Sequence, residues 1–200
     1  MYTELSVYRD TGFKNNGFSD IEIGVAFFNN FWISPEIGTS YSFGTLEDQN
    51  KININDHNST PNAILETRYN ASLLTISPKI NIGRNNENLW WVIQPKFFTG
   101  NLIINSNYLT LSEPKEKYEI IESQKRKSTI SFFNLSIGLE GYITESEKLS
   151  LAFFIRYTTM QLSDRFKSIK FNTPDISNPE ENTQTLGIGL KLYFNPFKKE

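Results

Sequence analysis

Residues 33–44, ISPEIGTSYSFG, decide the fold, because they alternate cleanly through a proline. Ile33, Pro35, Ile37, Thr39, Tyr41 and Phe43 fall on one face, and Ser34, Glu36, Gly38, Ser40, Ser42 and Gly44 on the other. Successive side chains of a strand point to opposite faces, so this is a strand with one apolar and one small polar face. The opening recurs as ISPKINIG from Ile76 and as IQPKFFTG from Ile93. Proline cannot donate to a ladder and is confined in ordinary sheets to edges and bulges. Pro35, Pro78 and Pro95 therefore mark bulges or loosened ladder sites, with Glu36, Lys79 and Lys96 beside them on the opposite face.

The same period of two runs through the whole chain, in eight segments: residues 2–9, 20–28, 31–44, 69–83, 89–104, 129–143, 148–162 and 185–194. Short connections (NN and a neighbour, RNNEN, TESEK) alternate with long polar ones within residues 46–68, 105–128 and 163–184. Unstructured loops of that length are unusual in a compact soluble domain. Tight turns at one end and long loops at the other are the pattern of a transmembrane β-barrel. Facing residues of an antiparallel pair share a face, which fixes the parity of each turn. The first turn must be odd, favouring Asn29-Asn30-Phe31 with Asn30 left-handed. The turn between Ile82 and Trp91 must be even, and the one between Ile143 and Leu149 odd.

The polar face says which side is inside. It carries mostly Gly, Ser, Thr and Asn, where a solvated outer face would carry long charged side chains. Its charges are Glu4, Glu22, Glu36, Lys79, Lys96, Glu140, Arg156 and Lys191, four acids and four bases, one per strand. Buried charges are costly unless paired, so a balanced set fits a poorly solvated lumen. Strand order sets Glu4 beside Lys191, Glu36 beside Lys79, and Glu140 between Lys96 and Arg156. Phe27, Phe28, Phe31, Trp32, Trp90, Trp91, Tyr193 and Phe194 gather at the short-turn rim, as a membrane-interface belt would.

Composition narrows the rest. The 200 residues suffice for a single domain, 1–200, and a net charge of -2 gives no field for nucleic acid. There is no cysteine and one histidine, His57, so the sequence points to no disulfide, metal or cofactor. No run of ~18 apolar residues exists for a membrane helix. No signal peptide opens the chain, which reads as a mature form whose signal has been removed. The one constellation with catalytic residue types is Asp56, His57 and Ser59 in NDHNST, which sits in a polar loop without the fixed geometry a nucleophile and base need. An enzyme is not expected.

With these strands in view, the chain resembles the small outer-membrane β-barrels of double-membraned bacteria, of the OmpA/OmpX general type. The likeness rests on ISPEIG and ISPKIN and on the closing TLGIGLKLYF, which is similar to the strand such barrels present to their assembly machinery. Phe194 is followed by NPFKKE, so the aromatic is not terminal. The resemblance implies an all-β, eight-stranded antiparallel up-and-down barrel with short periplasmic turns and long extracellular loops, in the bacterial outer membrane. Expected contacts are outer-membrane lipid, lipopolysaccharide phosphates through Lys125, Arg126 and Lys127, and an extracellular partner at the loops, with the barrel a monomer. A structural or surface-interaction role leads; the alternatives are a narrow porin-like channel and a soluble calycin-like barrel holding an apolar ligand.

Overall fold

The computed structural model describes residues 1–9, 17–28, 31–52, 62–84, 88–112, 117–144, 146–173, 183 and 185–195, with side chains of 46–52 set aside. Eight strands form in chain order: β1 Tyr2–Tyr8, β2 Phe18–Ala26, β3 Ile33–Ile52, β4 Ala63–Ile82, β5 Leu89–Ser112, β6 Lys117–Tyr142, β7 Leu149–Thr158 and β8 Leu186–Phe194. Each pairs antiparallel with its chain neighbour, and β8 returns to β1 with Glu4 facing Lys191. The ring is closed and up-and-down, which removes the exposed edges an open sheet would carry. Both described chain ends lie at the short-turn end, where the Met1 ammonium donates to Phe194 O at 2.8 Å.

Alternation fixes which side chains point out. Ile23, Ile76 and Ile155 are 60–63 % exposed, while their strand neighbours Glu22, Ser77 and Arg156 are buried. This wall is apolar outside and polar within, the reverse of a water-soluble barrel. Facing the lumen, Gly24 and Gly38 are row partners; a Cβ on either would stand 2.5–2.6 Å from the Tyr2 hydroxyl. Small residues there make space for long ones, as a narrow eight-stranded interior demands.

The prolines have a local remedy. Pro35 faces Pro78 in the β3–β4 ladder. The β4–β5 register runs to Ile76↔Phe97 and resumes unchanged at Ile80↔Ile93, so the gap falls where Pro78 meets Pro95. Phe27 N donates to Pro35 O at 2.8 Å, but Pro35 has no N–H to return to Phe27 O. The Ser34 hydroxyl donates to that carbonyl at 2.7 Å instead. Likewise Ser77 Oγ donates to Pro95 O at 2.8 Å, where Pro78 supplies no N–H. The serine before each of the first two prolines thus replaces the missing ladder donor.

The first turn keeps its expected parity, and the three long loops are corrected. The turn is odd, with Val25 facing Ile37, and Phe28 takes a left-handed φ of 54°; the expectation for Asn30 falls outside the described residues. Much of the expected loop sequence is strand: β3 and β4 pair out to Ile52↔Ala63, and β5 and β6 to Ser112↔Lys117. β6 meets β7 only from Asn134 onward. From Lys117 to Phe133 its strand partner is β5 alone; Ile130 and Phe132 still point into the barrel, and the part above them extends past it. β3–β6 form a projecting four-stranded sheet. The third expected loop, 163–184, is not solvated throughout: a short helix, α1 Ser163–Lys167, folds into the barrel mouth.

Candidate functional site

The lumen is filled in three layers, read upward along β1 and β5. Tyr2, then Glu4 and Ser6, then Tyr8 point inward along β1, and Trp90 and Val92, then Gln94 and Lys96, then Phe98 along β5. The lowest layer is aromatic and includes Tyr193, Phe154 and Trp90. The middle layer is ionic. The upper layer is apolar and includes Leu73, Phe98, Leu102 and Phe132, closed by Met160, Leu162, Phe166 and Ile169 from the β7–β8 connection.

All eight lumen charges read from the sequence are buried, at 0–2 % exposure. Lys96 Nζ lies 3.0 Å from Glu4 Oε2 and 2.7 Å from Glu22 Oε2. Glu4 is also held by the Arg156 guanidinium and by Lys191 Nζ at 3.2 Å. Lys191 continues to Glu36, which accepts further bonds from Gln94 Nε2 and, at 2.8 Å, from Tyr193 OH. Lys79 pairs with Glu140 at 3.0 Å and lies 3.8 Å from the Tyr193 ring centroid. Tyr2 OH and Thr75 Oγ1 donate to Glu22 Oε1 at 2.5 and 2.8 Å. Donors and cations thus surround the carboxylates, and ring faces lie against the lysines, as buried charge requires.

The partners differ from those strand order implied. Glu4 does meet Lys191, but Glu36 is not bonded to Lys79, nor Glu140 to Lys96 or Arg156. The row partner of Lys79 is Ser34, and those of Glu140 are Trp90 and Ala152. Charges on neighbouring strands sit at different heights because barrel strands are tilted and staggered. Long side chains then reach across the lumen.

A fifth carboxylate was missed. Asp20 is 2 % exposed and accepts from Ser40 and, at 2.7 Å, from Ser42. Its parity matches that of Glu22, so alternation alone could have found it. Carboxylate oxygens of Glu4, Asp20 and Glu22 lie within 4.8 Å of one another. Those of Glu4 and Glu22 are committed to Lys96 and Arg156, which does not suit a divalent cation. Asp56, His57 and Ser59 lie outside the described residues.

The rim aromatics divide. Phe27, Phe28, Phe31, Trp32, Trp91 and Phe194 are 43–69 % exposed, but Trp90 and Tyr193 are 1 % and 2 % exposed. Trp90 donates to Asn81 Oδ1 at 3.2 Å, and Tyr193 serves the ionic layer. Adjacent residues of one strand cannot share a face; Trp90 beside Trp91, and Tyr193 beside Phe194, had to split.

The strap that closes the mouth is tied to β6. Arg126 Nη1 donates to Ser168 O at 2.7 Å, so Arg126 leaves the row of Lys125 and Lys127. The Glu122 carboxylate accepts from Asn172 N at 2.9 Å, Thr173 N at 3.3 Å and Thr173 Oγ1 at 3.2 Å. The Asn172 N–H first, then the Gln124 amide and Thr173, hold this carboxyl below its ordinary value. Leu162, Phe166 and Ile169 recur at helical spacing, which marks an apolar face within a stretch otherwise read as a loop.

No protein-family model matches the chain, and no curated protein matches it. Among solved structures it is similar to Ail, the attachment invasion locus protein of Yersinia pestis, at 12% identity over 96% of this chain and 93% of that one, with a TM-score of 0.34. At that score the likeness carries nothing about function, and the strand registers alone define the architecture. They make the chain a closed ring of eight antiparallel strands, apolar outside and charged within, consistent with the small outer-membrane barrels its sequence resembles.

Proposed function

We propose that this chain is a non-enzymatic, non-conducting outer-membrane barrel that lifts the β3–β6 sheet above the bilayer to meet partners. The observation that carries this is the filled lumen inside an outward-apolar wall. Outward apolar residues from Ile82 to Leu74 on β4 span about 26 Å of strand. Tilted, that approaches the ~25 Å band of outer-membrane barrels. The six exposed aromatics at the short-turn rim suit one membrane interface. A soluble ligand-binding barrel would leave this wall in water and its charges in the ligand site. A steady channel would need a path through three filled layers.

Planar-bilayer recording of the refolded chain tests the reading. The expected result is insertion without stable conductance. Steady single-channel currents would promote the channel reading instead, and a chain that stays monomeric and folded without detergent would end the membrane reading.

A further inference from the structure

Two lumen-facing rows hold buried polar atoms that make no bond to the protein. The upper row runs Ser136, Arg156, Gly187 and Tyr8 across β6, β7, β8 and β1. The lower row runs Phe154, Gly189, Ser6 and Asp20 across β7, β8, β1 and β2. Gln94 extends the upper row on β5, and Asn134 lies one inward step above Ser136. Arg156 Nη1 donates to Glu4 and, at 2.6 Å, to Ser6 Oγ. Its other edge, Nε and Nη2, has no partner, and neither have Asp20 Oδ2, Ser136 Oγ, Gln94 Oε1 and Asn134 Oδ1. These side chains are 0–3 % exposed, and polar atoms so buried are rarely left unbonded.

Asp20 is the odd charge of the lumen. It makes five buried carboxylates against four buried cations among the described residues. Its bonds there come from Ser40 and Ser42, both neutral and both at Oδ1. One of its oxygens lies within 4.8 Å of a Glu4 oxygen, and Glu4 is bonded to Arg156. A Cβ on Gly189 would strike Arg156 Nε, so the guanidinium lies across β8 toward Ser6 and Asp20. Asp20 thus stands about one or two water molecules from it. We infer that bound water along these rows links the unbonded edge of Arg156 to Asp20 on one side and to Ser136, Gln94 and Asn134 on the other. The unbonded set holds donors, at Arg156, and acceptors, at Asp20, Gln94 and Asn134. An anion would serve only the donors and would add to a negative surplus. A cation would serve only the acceptors and would stand beside a guanidinium. Water donates and accepts, and makes about three hydrogen bonds in a buried site. The link gives the fifth carboxylate a share in a cation that it does not touch directly. It rests on the filled, non-conducting lumen proposed above.

The test is nuclear magnetic resonance of the full chain, isotope-labelled and folded in detergent micelles, with magnetisation passed from water to the Arg156 Nε–H. The expected result is transfer with the sign of a long-lived bound water, at a proton that exchanges slowly with the bulk. Ser136→Val, whose methyl groups take the place of water, should abolish the transfer. It should also shift the Asp20 carboxyl carbon, although β6 and β2 are not neighbours in the ring. Asp20→Asn reads the link from its other end and should shift the Ser136 resonances, which covers the case of a Ser136→Val chain that does not fold. An Asp20 or Ser136 signal that ignores the distant substitution overturns the inference. So does an Arg156 Nε–H signal that moves when chloride replaces a bulky anion in the buffer, because the site would then hold an anion. Fast exchange of the Nε–H with bulk water sinks the sealed lumen and the inference together, whereas slow exchange without transfer sinks the inference alone.

Discussion

Lys96→Met removes an ammonium that two carboxylates share. The Lys96, Glu4 and Glu22 side chains are all 0–1 % exposed, with N–O distances of 3.0 and 2.7 Å. At an effective dielectric near 20, a unit pair at such distances attracts by roughly 6 kcal/mol. Desolvation, several kcal/mol per buried ion, offsets most of that in the intact network. Truncation loses the attraction while the two carboxylates stay desolvated, a net cost of ~3–5 kcal/mol. The burial is complete, so no discount for solvent screening applies. Glu4 keeps Arg156 and Lys191, whereas Glu22 keeps, among the described residues, the neutral donors Tyr2 and Thr75. Most of the penalty therefore sits on Glu22. Adding Glu22→Gln removes that stranded charge, and the double variant should regain ~2 kcal/mol. The assay is urea unfolding of the barrel in lipid vesicles, followed by tryptophan fluorescence and gel mobility. A Lys96→Met variant within about 1 kcal/mol of wild type, or a double variant no more stable than the single, refutes the reasoning.

Ser77→Ala should cost ~1–3 kcal/mol in the same assay, because Pro95 O loses its donor in a wall without water; adding Pro78→Val returns an N–H and should recover much of the loss. The strap should loosen in acid. Glu122 has a folded-state value below its ordinary one, so its contribution is full above the ordinary carboxylate range, near pH 4.3, and fades as pH falls through the lowered value. Hydrogen-exchange protection of residues 159–173, taken relative to the intrinsic exchange rate at each pH, should fall from pH 5 down to pH 3, and Glu122→Gln should be weakly protected throughout; a flat protection profile in the wild type would contradict this.

Alternation made the strand count, the ring and the inside-outside assignment legible. Ile33, Pro35 and Ile37 against Ser34, Glu36 and Gly38 needed only the period of two, a local property of extended backbone. The same rule, applied strictly, would have moved Trp90 and Tyr193 inward and added Asp20 to the lumen. It missed the projecting sheet because residues 105–128 mix polar residues with Leu109, Leu111, Ile120 and Ile121 on both faces, and alternation signals a strand only where one face is buried.

The sequence by itself determined which charges enter the lumen, since parity along one strand settles that. Who pairs with whom was decided by tertiary structure. Lys79 reaches Glu140 and Lys191 reaches Glu36 because tilt and stagger set the relative heights of strands distant in the chain. Phe166 is the same case. Its burial depends on a cup built by β4, β5 and β6, and residues 160–169 read alone carry only an apolar face with no stated place to put it.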